Sequence, residues 1–465
     1  MTTTLILAAA LLTAIGLLAA PNLYFAGMAW LVLSPLLYPF ARYPQSGALL
    51  TFDRVCVGAL ALALLMSKVR RPPRAQSVRA FAIAGVVFAG LFLARCLTTS
   101  PGALSALQTF IDAVLLPCVV FAVCRNTAGT HRRMRAWAAG LMVCGTIVAL
   151  LGITERLFAY ELASRSGGSA RVDHEIGGIV RVSGPYSVPE VYALVLALTL
   201  AATLFWWMSG RVRGNPRRGL VDLVGPVLAA VQITGMAVSL FRVAWACALL
   251  ILVVGFGLRS RRRTRLTVAG VVVAFGAMIL LMPLQSSDVF RERVGNTDNV
   301  AGRLATHKVG IEIWRSAPVT GVGIHQFIVA QRQTGQQQVW GVRSVDSPHS
   351  SFLGTLAEQG IVGFTALIAM CACAVRMLRR LGETSRGDPV LEALRAAVLA
   401  GASAYLLFSV ELTMLPLGPS NAVLAVLLGL GAAAIENGRA RTGPEKRAVA
   451  TEHGAVGPKP VEAVH

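Results

Sequence analysis

Charge is what this sequence has little of. Only 14% of its 465 residues are Asp, Glu, Lys or Arg, and acidic residues number 22 against 43 basic ones. A soluble globular domain carries about 25% charged residues, so that class is excluded. Cysteine offers no framework either. The eight cysteines include no C-x-x-C pair and lie inside or at the ends of apolar stretches, which leaves no disulfide scaffold and no zinc-ligand spacing. Cys371 and Cys373 point to different faces of a helix and read as small packing residues. The opening MTTTLILAAALLTAIGLLAA has no basic n-region, so it reads as a membrane helix rather than a cleaved leader. No tandem repeat of fixed period is present.

What is abundant is apolar length: 55% of residues are hydrophobic and the mean hydropathy is +0.65. Crossing the hydrocarbon of a bilayer takes about 20 residues. Runs of that order occur near 4–20, 22–40, 48–67, 79–97, 106–124 and 135–153, then near 189–208, 219–237, 240–258, 265–284, 350–375, 391–411 and 417–435. Only Ala20, Pro21 and Asn22 separate the first two, which are either two spans or one span plus a re-entrant helix. The expected fold is all-α: a polytopic transmembrane bundle of 12 or 13 helices with a large, partly helical outer loop. One domain is expected over 1–436, including outer loops 154–188 and 285–348, followed by a disordered cytoplasmic tail at 437–465.

A net charge of +21 raises the question of nucleic acid. The placement of the charge answers it. Six basic segments, 68–74, 125–135, 210–219, 258–265, 376–388 and the tail after Glu436, hold 28 of the 43 basic residues together with Arg79 and Arg395. They fall in every second gap between apolar runs, the pattern of the positive-inside rule. Those segments are therefore expected in the cytoplasm, and no nucleic acid is expected as a partner. The cytoplasmic connections are short, whereas the two outer loops run to 35 and 64 residues. Long loops without a packing need usually carry function, which directs the search to the outer face.

Three arginines stand at outer helix boundaries: Arg181 in RVSGPYSVPE, Arg242 in SLFR and Arg303 in GR. A guanidinium keeps its charge and presents a planar fork matched to phosphate oxygens, so together the three could hold a diphosphate; singly, each could snorkel to lipid headgroups. His349 lies where the long polar loop re-enters an apolar run. An imidazole there suits proton abstraction from a hydroxyl, with Asp346 or Glu358 as a possible orienting acceptor; the plain alternative is a surface or capping histidine. His174, His307 and His325 share that side, but their spacings fit no compact metal set. The segment 301–318 reads as an amphipathic helix with Leu304, Ile311 and Trp314 near one side and Arg303 and His307 sharing a face. TGVGIHQF reads as a turn, and its GVG does not match a nucleotide-binding loop. Asp53, Arg54, Asp112 and Glu411 are charges within spans. They either pair with one another or form the carboxylate chain of a transporter, although the broken helices expected of transporters are not evident.

The ordered set Arg181-x-x-Gly184, Ser239-x-x-Arg242, Gly302-Arg303, Gly321-x-Gly323 with Phe327, and His349-Ser350 followed by Gly360-x-x-Gly363 resembles the signature of the O-antigen ligase and O-antigen polymerase superfamily. The resemblance covers about 180–365 by motif and the flanking helices by topology. It departs in Ser350, a position where asparagine is also common in the family. It implies a metal-independent glycosyltransferase with no cofactor, in the bacterial cytoplasmic membrane. The implied donor is a polyprenyl-diphosphate-linked glycan, and the acceptor is a glycan, lipid or protein. By the same resemblance His349 would activate the acceptor hydroxyl and Arg242, Arg303 and Arg181 would bind the diphosphate. Ser239, Ser350, Asp346, Glu358, Gly321 and Gly323 would support them. A ligase is the leading expectation, with a polymerase of the same superfamily, a polysaccharide flippase or an inactive scaffold as alternatives.

Overall fold

The computed structural model describes residues 16, 22–41, 52–67, 75–100, 102–158, 175–176, 179–186, 188–211, 218–257, 298–333, 338–339, 342–343 and 347–441. Among them the chain forms thirteen helices: α1 (Leu23–Ala41), α2 (Phe52–Met66), α3 (Gln76–Thr98), α4 (Ala103–Thr127), α5 (His131–Phe158), α6 (Pro189–Gly210), α7 (Arg218–Val238), α8 (Arg242–Gly257), α9 (Asp298–Ser316), α10 (Phe327–Gln333), α11 (Ser351–Thr384), α12 (Pro389–Glu411) and α13 (Gly418–Arg441). Two hairpins of two-residue strands, β1 (Glu175–Ile176) with β2 (Ile179–Val180) and β3 (Gln338–Val339) with β4 (Val342–Arg343), complete the described residues. Eleven of the thirteen expected spans coincide with helices. The runs 4–20, apart from Gly16, and 265–284 lie outside the described residues. The last helix reaches Arg441, past the tail boundary expected at 437. Eight helices are long and apolar enough to cross a bilayer, and the chain is a multi-pass membrane protein.

The bundle is organised around α6. Its sequence, PEVYALVLALTLAATLFWWMSG, has no polar face, and nearly all of it is buried against α5, α7, α8, α12 and α13. A helix apolar on every side belongs in such a centre. Apolar character alone does not drive association in lipid, so close approach through small residues and interhelical hydrogen bonds must supply the contact. Gly145 gives that approach: a Cβ there would fall 2.1 Å from Thr199 Oγ1. Beside it the Gln232 amide donates to Met142 O at 3.2 Å and to Thr203 Oγ1 at 3.0 Å.

The charges within the spans pair, as one of the two sequence readings expects. Arg54 grips Asp112 bidentately, both bonds at 2.7 Å, and Asp53 accepts from Trp30 Nε1 at 3.3 Å and Ser34 Oγ at 3.0 Å. At the basic end of the bundle Arg125 donates to Glu436 at 2.9 and 2.7 Å, tying α4 to α13 in a buried pair. Glu436→Gln leaves that guanidinium without a counter-charge. It is expected to cost about 1.5–3 kcal/mol, read as a lower apparent Tm in detergent.

Candidate active site

The site is built on a break in α11. At Gly360 the backbone leaves the helical region (φ 65°, ψ −167°), which strands carbonyls before the break and N–H groups after it. Inside a membrane protein such groups need partners, and the loop after α9 supplies them. Val322 and Gly323 N–H donate to Ala357 O and Glu358 O at 3.0 and 2.9 Å; Ile361 and Val362 N–H donate to Pro318 O and Val319 O at 2.9 and 3.3 Å. Arg95 fastens the join, donating to Gly321 O at 2.6 Å and Glu358 O at 3.5 Å.

Only glycine fits where the two backbones cross. A Cβ on Gly321 would lie 2.3 Å from the Glu358 carbonyl carbon, and one on Gly360 2.2 Å from Val319 O, both at positive φ. The supporting roles of Gly321 and Gly323 are therefore structural. Their N–H groups, with that of Val322, are spent on protein carbonyls and do not cradle phosphate. Gly321→Ala is expected to destabilise the protein by about 1–3 kcal/mol, as overpacking does, read by thermal unfolding in detergent.

The stitched loop brings α9 onto the start of α11. Ala305, Val309 and Ile313 pack with Phe327 and Ala357, while Leu304 and Ile311 are exposed. Leu304 and Ile311 lie on one exposed side, as the amphipathic reading expects, and Ala305, Val309 and Ile313 form the side packed on the protein. Arg303 and His307 share the partly buried flank beside His349, whose nearest charged influences include both of them.

His349 sits immediately before the α11 N-cap. Ser350 is that cap, accepting from Leu353 N–H at 3.5 Å, and His349 itself adopts φ 47°. A non-glycine residue in the left-handed region carries strain of about 1–3 kcal/mol and is most often found at a functional site. Its Nδ1 is buried and has no hydrogen-bond partner among the described residues. Burial and then the Arg303 guanidinium push the imidazole below its usual range; His307 acts in the same sense, and Glu190 and Glu411 oppose them. The result favours the neutral ring, which is the form that accepts a proton.

Two carboxylates organise the arginines. Arg303 pairs with Glu411 at the end of α12, and Arg181 pairs with Glu190 in the first turn of α6 at 3.1 Å. The Arg181 guanidinium also lies over the Phe241 ring, 5.4 Å from its centroid. The next residue, Arg242, opens α8 and is exposed. Ser239 shapes that tight turn: its hydroxyl donates to Met236 O at 2.6 Å and accepts from Phe241 N–H at 3.3 Å. Gly184 of the Arg181 motif donates its N–H to buried Glu155 at 2.6 Å.

His349 and Arg303 thus share one electrostatic neighbourhood, Arg181 is linked to it through Glu190, and Arg242 follows Phe241, the ring against which Arg181 lies. Glu358 does not serve His349. Its Oε1 accepts from Phe327 N–H at 3.4 Å, and the residue lines a cavity that His349 does not line. Asp346 lies outside the described residues, as does His174.

Residues 227–368 match the family model described as O-Antigen ligase. This stretch is similar to the O-antigen ligase family over 142 residues. It contains Ser239, Arg242, Arg303, the stitched glycines and His349, whereas Arg181, Glu190 and Glu411 lie outside it. No curated protein matches the chain. The match supports a kinship with the O-antigen ligase and polymerase superfamily, whose members are enzymes of glycosyltransferase type.

Proposed function

We propose that this protein transfers a glycan from a polyprenyl-diphosphate carrier to an acceptor hydroxyl at the outer face of the cytoplasmic membrane. The observation that carries this reading is the position of His349. It is a neutral-leaning imidazole that shares charged surroundings with Arg303, inside the stretch similar to the O-antigen ligase family. His349 takes the proton of the acceptor hydroxyl, and that oxygen attacks the anomeric carbon of the donor's first sugar. The bond from that carbon to the diphosphate oxygen breaks, and the lipid diphosphate leaves with the electron pair. Arg303, Arg181 and Arg242 offset the developing charge, which is the largest stabilisation such a site can offer. No sugar nucleotide is required, since the lipid diphosphate already carries the activation. Metal independence follows the same reading, with guanidinium groups supplying the positive charge.

The outer-face assignment is supported by the opposite end of the bundle, where Arg125, His131, Arg132, Arg133 and Arg135 gather beside the α11–α12 turn, as expected of a cytoplasmic side. The test is transfer by purified protein in proteoliposomes supplied with lipid-linked oligosaccharide and an acceptor. A new glycosidic product with release of lipid diphosphate is expected. A ladder of products identifies a polymerase and a single addition identifies a ligase. Movement of the donor across the bilayer without a new bond overturns the proposal.

A further inference from the structure

A cavity of about 220 Å³ lies beside the turn that carries His349. Ser347, Pro348 and Ser351 line it, whereas His349 and the arginines do not. The rest of its polar wall comes from Thr355, Glu358 and Gln359 of α11 and from more distant parts of the chain: Thr109 of α4, His325 of the stitched loop and Thr413 after α12. Phe92, Ile324, Phe327, Ile328 and Leu415 form its apolar wall. Among the described residues no lysine or arginine lines it, and it holds a carboxylate, so its chemistry is opposite to that of a diphosphate site.

Its groups retain hydrogen-bonding capacity. A carboxylate accepts about four hydrogen bonds, and backbone groups of His325 and Phe327 supply two to Glu358. Gln359 is buried and its Oε1 has no partner. Thr109 Oγ1 lies 2.5 Å from His325 Nε2, and Thr413 Oγ1 lies 3.4 Å from Ser347 Oγ, so each hydroxyl is held in place by one partner and keeps a further hydrogen-bonding position. His325 is held at φ 61°, the second strained histidine at this end of the bundle. The volume is that of about seven waters at ~30 Å³ each, below the ~300 Å³ at which drug-sized sites begin. A single ring fits. Hydroxyls, a carboxylate, an amide and an imidazole beside an apolar wall that includes Phe92 and Phe327 match a molecule with a hydroxylated edge and an apolar C–H face.

We propose that this cavity is a subsite for one sugar ring of a glycan substrate, seated next to the ring that reacts at His349. The identity of that glycan as a substrate rests on the transferase reading; the binding of a sugar does not. The ring belongs either to the acceptor or to the carrier-linked donor, and kinetics separate the two.

The test uses the full chain in nanodiscs, as wild type, Glu358→Gln and Thr413→Phe; the last fills the cavity. Saturation-transfer NMR with methyl glucoside, methyl galactoside and N-acetylglucosamine is expected to report contact with at least one probe in the wild type. That contact is expected to be lost in Thr413→Phe and weakened in Glu358→Gln. In the transfer assay Glu358→Gln is expected to raise KM for one glycan about tenfold, the scale of one lost charge-assisted hydrogen bond, with kcat within about twofold. A rise confined to the acceptor KM assigns the ring to the acceptor; a rise confined to the donor KM assigns it to the donor. Probe contact without any transfer by the wild type supports the sugar cavity and removes the transferase reading. No probe contact in the wild type, or a fall in kcat with both KM values unchanged, overturns the subsite.

Discussion

Replacing His349 by alanine is expected to cut glycan transfer by ~10²–10⁴-fold, the usual contribution of a general base, with folded protein still present in the membrane. Folding is expected to persist because the buried Nδ1 makes no hydrogen bond among the described residues that the variant would lose. His349→Asn is the sharper control: asparagine tolerates positive φ and preserves the backbone at φ 47°, so its loss of rate reports the missing base alone. The pH profile carries the second half of the expectation. Burial and Arg303 lower the His349 pKa, so the ring stays neutral at a pH where a free imidazole, with its pKa of about 6.5, is half protonated. The acidic limb of kcat/KM is therefore expected below about pH 6.5. A limb above that value, or near-normal turnover by both variants, removes the base assignment.

The helices were legible because each span must bring its own apolar length, and that requirement leaves a mark within one stretch of sequence. The break in α11 left no such mark. Gly360 and Gly363 sit in an apolar run that reads as continuous. What makes a break possible is the loop at 317–323, far away in the chain, which pairs with the exposed backbone. The side of α9 that packs on the protein left a mixed mark: Val309 and Ile313 are apolar, but Ala305 and Thr306, both fully buried, carry little hydrophobic signal.

At the site, the cations were legible from their position at helix boundaries, and their counter-charges were not. Glu190 is visible within RVSGPYSVPE, but nothing local says that it pairs with Arg181. Glu411 stands out as a charge at the end of a span, and its partner Arg303 lies on a helix more than a hundred residues earlier. Ion pairs between elements depend on how the elements dock, which no local pattern records. The same holds for Glu358. As a carboxylate on the same side it was a possible orienting acceptor for His349, but it accepts from Phe327 N–H instead.

Arg303→Ala is expected to lower kcat by ~10²–10³-fold, as removal of one preorganised charge-stabilising donor does, and to move the pH profile as well. In the resting site Arg303 is already paired with Glu411, so a diphosphate must share or displace that carboxylate. The attraction gained is therefore a difference between two anions, largest when charge builds on the leaving oxygen. Removing Arg303 takes away the leading charge that lowers the His349 pKa and leaves Glu190 and Glu411 to raise it. The acidic limb is then expected to shift upward, toward or past the usual imidazole value. Arg303→Lys separates the two effects: it keeps the positive charge, so the limb stays near its wild-type position. It loses the planar fork suited to phosphate, so part of the rate is still lost. A merely structural arginine would lower the amount of folded protein in both variants and leave the limb where it was. An upward shift in the alanine variant that the lysine variant reverses is the signature of a guanidinium acting on both the leaving group and the base.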